Sequence, residues 1–178
     1  MRHGRTDWNE RNKLQGRTDI PLNAAGRKMA EEAAAVYKNV PLDVCYCTPL
    51  ARARQTAEIL LKNRNIPIIT DDRLVEMSFG IYEGTEQSAR ALDCPINILF
   101  KEPEKYKAVE GGESIEKLFE RTGDFLRNVV EPQLEDGKNI VIIGHGAMNS
   151  GIICQVRGLS TEHFWDAGIN QCELLQLK

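Results

Sequence analysis

The chain has 178 residues and a mass of 20.0 kDa, is 42% hydrophobic and 28% charged, and so has the composition of one soluble globular domain with a substantial core. A formal net charge of -3 gives no electrostatic case for nucleic acid, and no apolar run is long enough to span a bilayer. Five cysteines, Cys45, Cys47, Cys94, Cys154 and Cys172, are an odd number without a Cys-x-x-Cys spacing; with no signal-peptide pattern at the start, they read as reduced core residues of a cytoplasmic protein rather than as disulfides or a zinc site.

The chain opens on Arg2-His3-Gly4-Arg5-Thr6-Asp7-Trp8-Asn9, a histidine between an arginine and a glycine followed by a polar, turn-forming stretch. Residues 10 to 22 are polar, with Gly16 and Pro21, and are expected to form a loop able to fold over a ligand. Asn23 is the expected N-cap of a helix to about Lys38, with Ala25, Met29, Ala33, Val36 and Tyr37 at helical spacing. Asp43 to Cys47 reads as a short strand. Thr48-Pro49 then looks like the N-cap and first position of a helix with the apolar stripe Leu50, Ala53, Ala57, Leu60 and Leu61. Arg52 falls in its first turn, near the strand end and the positive helix terminus.

Ile66 to Thr70 is a further strand, and Asp71-Asp72-Arg73-Leu74 leads on to Glu76. Residues 85 to 111 are the least regular stretch. Ala89 to Leu92 and Ile96 to Phe100 are weakly helical, and Pro95 and Pro103 break the pattern. Ser114 is the expected cap of a helix whose apolar face runs Ile115, Leu118, Phe119, Thr122, Phe125, Leu126 and Val129. Ile140 to Gly144 reads as a buried parallel strand, His145-Gly146 leads into a helix from about Ala147 to Val156, and Cys172 to Leu177 supplies a last strand.

Of three histidines, His3 and His145 both precede glycine, and the second stands at the carboxyl end of the apolar strand, where open α/β sheets bind ligands. With Arg2 beside the first, the pair suggests phosphoryl chemistry: one imidazole attacks phosphorus while guanidinium groups neutralise the phosphoryl oxygens. The residues alone leave the roles of the two histidines exchangeable. The amino end of the helix after His145 is a ready anion site. His163, in Glu162-His163-Phe164-Trp165, reads as structural, and Arg54, Lys101, Lys105, Lys107 and Arg90 read as solvated charge.

These residues resemble the signature of the histidine phosphatase superfamily, also called phosphoglycerate mutase-like proteins. The similarity runs in order through Arg2-His3-Gly4, Gln15-Gly16, Thr48 to Ala57, Leu74-Val75-Glu76, Phe79-Gly80, Glu83-Gly84, Gly112-Glu113-Ser114 and Gly144-His145-Gly146, nearly the whole chain. The resemblance implies a single domain over 1–178 with a three-layer α/β/α sandwich around a mostly parallel central sheet, residues 85–111 roofing the active site and setting substrate choice. It implies His3 as nucleophile, Arg2, Arg52 and His145 as phosphate ligands, and Glu76 as proton donor, with Glu83 the competitor. Asn9, Gln15, Gly16 and Gly146 are implied as substrate contacts. Glu76 suits its role if burial or the phosphate raises its pKa, because an alkoxide is a poor leaving group and a protonated carboxyl removes that barrier. Neither a metal nor an organic cofactor is implied, since the arginines already supply the positive charge a metal would bring.

The implied activity is hydrolysis of a small phosphomonoester through phosphohistidine. A bisphosphoglycerate-dependent mutase is the alternative; such mutases carry an Arg directly after the acid, where this chain has Met77, and a paired-Arg segment absent from 85–111. Phosphorylated sugars, glycolytic acids, nucleotides and ribazole phosphate all remain open as substrates, and the residues assign no oligomeric state. Members of the family also have an apolar central strand directly before the Arg-His-Gly, where this chain has only Met1. Residues 1 and 2 are therefore expected to fray and leave His3 poorly positioned. The chain is then either part of a longer natural sequence or completed by a strand from another molecule, and an idle phosphate-binding regulatory module is the reading from another class.

Overall fold

The computed structural model describes residues 1–87, 91–166 and 168–177. Along the chain run α1 (Asp7–Glu10), α2 (Ala24–Val36), β1 (Val44–Cys47), α3 (Ala51–Leu60), β2 (Ile68–Thr70), α4 (Ile98–Lys101), α5 (Ile115–Phe125), α6 (Glu131–Glu135), β3 (Ile140–Ile143) and α7 (Gly146–Arg157). A π-helical turn, Leu126–Val130, joins α5 to α6.

The strands lie parallel in the order β2-β1-β3. Side chains alternate across a strand, and β1 divides its residues accordingly. Cys45 and Cys47, with Val141 and Ile143 of β3, pack on small residues of α2 and α3: Ala30, Ala33, Ala53 and Ala57. Val44 and Tyr46 face the opposite core, built on Leu118 and Phe125 of α5 and Met148 and Ile152 of α7. The Tyr46 and Phe125 rings meet edge to face at 5.3 Å. Two cores on two faces of one parallel sheet are the three layers expected of the sequence.

Asn23 caps α2 as expected, its side chain accepting from the Gly26 amide at 2.9 Å, and Ser114 caps α5. The next helix starts later than the Thr48-Pro49 signal. Leu50 is extended (ψ 133), α3 begins at Ala51, and its first N–H donates to Asp19 Oδ1 at 2.7 Å. The distant carboxylate replaces the local cap. The last expected strand does not form. Gln171 makes one parallel bridge to Arg2, and Cys172 at φ 59 then turns the chain out of extended geometry. Within residues 85–111, Pro95 and Pro103 each open a 3₁₀ turn, with α4 between them. Ala89 and Arg90 lie outside the described residues.

The opening of the chain does not fray. The Met1 ammonium donates to Ile142 O at 2.7 Å, Gly144 N to Met1 O at 3.0 Å, His3 N to Gly144 O at 2.9 Å and Cys172 N to Arg2 O at 2.9 Å. Paired on both sides, residues 1–3 act as a short strand between β3 and Gln171. Beyond Met1 lies a cavity of about 850 Å³ lined by Ile140, Ile142, Leu126, Leu174 and Leu177 among others.

Burial lowers the pKa of the Met1 ammonium from 8.0 to about 6. The unfolded chain therefore binds the extra proton between pH 6 and 8, so this group costs stability increasingly as pH falls through that window. Adding about five or six apolar residues before Met1, a usual strand length, removes the ammonium and fills the cavity. Thermal unfolding should show a larger stability gain at pH 6 than at pH 8, by about 2 kcal/mol. Equal gains at both pH values would show that the ammonium imposes no such cost.

Candidate active site

His3 is 3% exposed, and its Nδ1 lies 2.7 Å from the Gly4 carbonyl oxygen. A carbonyl only accepts, so Nδ1 carries the proton and Nε2 keeps its lone pair. Gly4 is fixed in turn. Its N–H donates to Thr56 Oγ1 at 3.0 Å, and that hydroxyl donates to Arg52 O at 2.7 Å. Only glycine fits after the histidine, because a β-carbon there would stand 2.6 Å from the Gly26 carbonyl oxygen.

His145, at the N-terminus of α7, is fully buried, with its ring centroid 5.1 Å from that of His3. Arg52 Nε donates to His145 Nδ1 at 3.2 Å. A guanidinium only donates, so here Nδ1 holds the lone pair and Nε2 carries the hydrogen. The two imidazoles are thus opposite tautomers. Burial, then the Arg52 charge, lowers both pKa values well below 6.5; Arg2 lowers both further, and for His145 the neighbouring His3 does too. Both rings are neutral at pH 7.

Arg52 is 1% exposed, donating from Nη1 to Thr18 O at 2.9 Å and from Nη2 to Gly16 O at 2.7 Å. Burial lowers its pKa to about 10, which leaves it charged at neutral pH. The loop that supplies those carbonyls is held by Glu83, whose carboxylate accepts from Arg17 N, Thr18 N, Thr18 Oγ1 and Phe79 N. At Gly16 (φ +54) a β-carbon would collide with Glu83 Oε1, so the loop can approach this closely only as glycine. Glu83 therefore acts on the site through the seat of Arg52.

Glu76 is 7% exposed. Its Oε1 accepts from Met77 N at 2.8 Å and Met148 N at 2.9 Å, and its Oε2 from Ala147 N at 3.2 Å. The amino end of α7 expected to bind a ligand anion is thus partly taken by this carboxylate. Gly146 lies between: a β-carbon there would be 3.7 Å from Glu76 Oε2 and 4.0 Å from Arg2 Cζ. Among the described residues, the buried side-chain N and O atoms without a hydrogen-bond partner are Arg2 Nε and His145 Nε2. Both are N–H donors, and an unpaired buried donor is costly unless an anion receives it.

The expected substrate contacts are placed less directly. Asn9 Oδ1 accepts from Thr6 N at 3.1 Å and from Gln171 Nε2 at 2.9 Å, and Gln15 Oε1 lies 2.9 Å from Thr6 Oγ1. They form a polar network around Thr6, one turn of chain from His3. The remaining candidates stay outside: Arg54 is 55% exposed beside Glu58, Lys105 pairs with Glu102, and His163 is bonded to Asp166 at 2.7 Å. No group of His, Cys, Asp or Glu among the described residues could hold a metal ion.

Sequence reasoning missed Thr56 and Gln171. Thr56 had a usable signal, a hydroxyl residue one turn after Arg52 on the buried stripe with Ala53 and Ala57. Gln171 had none, since its role depends on a bridge to Arg2 across the sheet.

The arrangement fits an anion that takes guanidinium and imidazole donors while a lone-pair nitrogen faces its central atom. Comparisons with known proteins agree. The family model of the histidine phosphatase superfamily (branch 1) matches residues 1–178. The uncharacterized phosphatase PhoE of Bacillus subtilis is 34% identical, over 97% of this chain and 83% of its own. A 2,3-bisphosphoglycerate-dependent phosphoglycerate mutase of Cytophaga hutchinsonii is 30% identical, over 91% and 78%. The solved structure of Bacillus stearothermophilus YhfR superposes with a TM-score of 0.85 at 28% identity, covering 96% of this chain and 84% of that one.

The tautomers are directly testable. Long-range ¹H–¹⁵N spectra of the ligand-free protein should show His3 protonated at Nδ1 and His145 at Nε2, both staying neutral as pH falls through 6.5. His163, raised by its bond to Asp166, should gain its proton above 6.5 in the same titration. The same tautomer at His3 and His145 would contradict the geometry.

Proposed function

The chain belongs to the histidine phosphatase superfamily, whose matched members include phosphatases and mutases, and we propose that this protein is a phosphomonoesterase acting through phosphohistidine. The observation that carries the reading is what each Nδ1 touches, a carbonyl at His3 and a guanidinium at His145, which calls for opposite tautomers. His3 Nε2 offers a lone pair to phosphorus while its Nδ1–H stays on the Gly4 carbonyl. His145 Nε2–H, Arg2 and Arg52 receive the phosphoryl oxygens, whose charge grows in the transition state.

In the first step the His3 Nε2–P bond forms and the bond from phosphorus to the alcohol oxygen breaks. Glu76 supplies the proton to that oxygen. Oε1 is engaged by two N–H groups, so Oε2, held by one 3.2 Å bond, is the oxygen left to carry it. In the second step the Glu76 carboxylate takes a proton from water, the water oxygen bonds to phosphorus, and the N–P bond breaks to return the His3 lone pair.

Hydrolysis is favoured over mutase transfer by Met77, which is fully buried where mutases of this type carry a cation. The reading as an idle module rests on the missing first strand; the backbone bonds that hold Met1 to His3 in the sheet favour an active site instead, and a positive phosphatase assay would remove that alternative. The proposed substrate is a small phosphorylated metabolite.

A screen of small phosphomonoesters, without added metal or bisphosphoglycerate, should release inorganic phosphate, and His3→Ala should abolish the release. Arg52→Ala should cost at least roughly a hundredfold in kcat/KM, about 3 kcal/mol, while the exposed neighbour variant Arg54→Ala stays within about twofold. Undiminished turnover in His3→Ala would sink the mechanism.

Glu76→Gln gives a second test. It should slow alkyl phosphates far more than p-nitrophenyl phosphate, whose leaving group needs little protonation, by a difference of roughly 10²-fold. Equal slowing would show that Glu76 only positions phosphate.

A further inference from the structure

Glu113 is 7% exposed and lies in none of the elements that carry the reacting groups. Its carboxylate receives two arginines. Arg121 meets it as a fork, Nε to Oε1 at 2.8 Å and Nη2 to Oε2 at 2.9 Å, and Arg17 Nη2 reaches Oε1 at 3.1 Å. Each guanidinium then continues to a backbone carbonyl of the segment that carries the acid. Arg121 Nη1 donates to Arg73 O at 2.5 Å, and Arg17 Nε donates to Glu76 O at 3.2 Å. One buried carboxylate thereby ties down both ends of residues 73–76, and its own backbone N–H adds a bond to Ser78 O just beyond.

We propose that Glu113 is a positioning residue for Glu76, acting through Arg17 and Arg121. The inference rests on Glu76 being the acid of the proposed reaction. The charge arithmetic is specific to a carboxylate here. Two guanidinium groups converge on one point, and without the anion between them they repel and each is left only its carbonyl. The peptide at Glu76 then loses its anchor, and Oε2 drifts from the leaving oxygen. Proton transfer is more sensitive to such a shift than phosphate binding, because it needs hydrogen-bond distance to one atom. Arg17 also belongs to the loop whose Gly16 and Thr18 carbonyls hold Arg52. That loop is held separately by Glu83, so the phosphate-binding arginine stays seated when Glu113 is lost.

The test compares kcat and KM on an alkyl phosphate and on p-nitrophenyl phosphate for Glu113→Gln, Glu76→Gln and the double variant. Glu113→Gln should lower kcat on the alkyl phosphate at least about tenfold, part of the 10²–10⁴ that a general acid contributes, and change p-nitrophenyl phosphate and both KM values by less than about threefold. In the double variant the loss should equal that of Glu76→Gln alone, since a residue acting through another adds nothing once that one is gone. Arg17→Met, at a half-exposed site that folding tolerates more readily, should reproduce the selective loss in milder form even if Glu113→Gln folds poorly. A selective Glu76→Gln with an unselective or additive Glu113→Gln and Arg17→Met would overturn the positioning role alone. An unselective Glu76→Gln would overturn the acid assignment and this inference with it.

Discussion

The Arg52 guanidinium is the constraint on which the site depends. Its Nε bond to His145 Nδ1 forces the hydrogen of that ring onto Nε2, and its two Nη bonds draw the 16–18 loop over the same point. Its backbone carbonyl takes the Thr56 hydroxyl, which holds Gly4, whose own carbonyl holds His3. One residue thus sets both imidazoles in opposite tautomers. A buried cation of this kind is costly, and its charge is offset by Glu76, Asp19 and Glu83 nearby. After burial, the same charge helps hold both histidine pKa values down, as the proposed nucleophile and donor require.

The second constraint is the sheet. A parallel strand buried between helices needs partners on both sides, and residues 1–3 obtain them from Gly144, Ile142 and Cys172. These bonds hold His3, the proposed nucleophile, in the sheet. His3 and His145 then emerge from adjacent positions of one sheet edge, and α7 begins beneath them. Its first amides seat Glu76, so the proposed acid, donor imidazole and nucleophile share one base.

Much of this was legible in the residues. The Ile140–Ile143 run, the Asn23 and Ser114 caps and the helical stripes are local patterns, and they place the elements correctly. His3, Arg52, Glu76 and His145 were legible as a group too, and the structure brings them together. What sequence could not show depended on distant partners. Thr48-Pro49 carries a cap signal, yet Asp19, 32 residues away, does the capping. Cys172 to Leu177 is apolar enough to suggest a strand, but the pairing of this segment stops with the bridge from Gln171 to Arg2. The exchangeability of the two histidines was undecidable because tautomers are set by what each Nδ1 touches. The amides at the head of α7 looked like a ligand site because nothing local reveals that Glu76, some seventy residues earlier, occupies them.

The decisive question is which nitrogen receives phosphorus. Rapid quenching during turnover, followed by ³¹P–¹⁵N correlation on protein labelled at histidine, reads this directly. The proposed mechanism requires phosphorus on Nε2 of His3, with Nδ1 still protonated against the Gly4 carbonyl. Phosphorus on His145, or on Nδ1 of either ring, would contradict it.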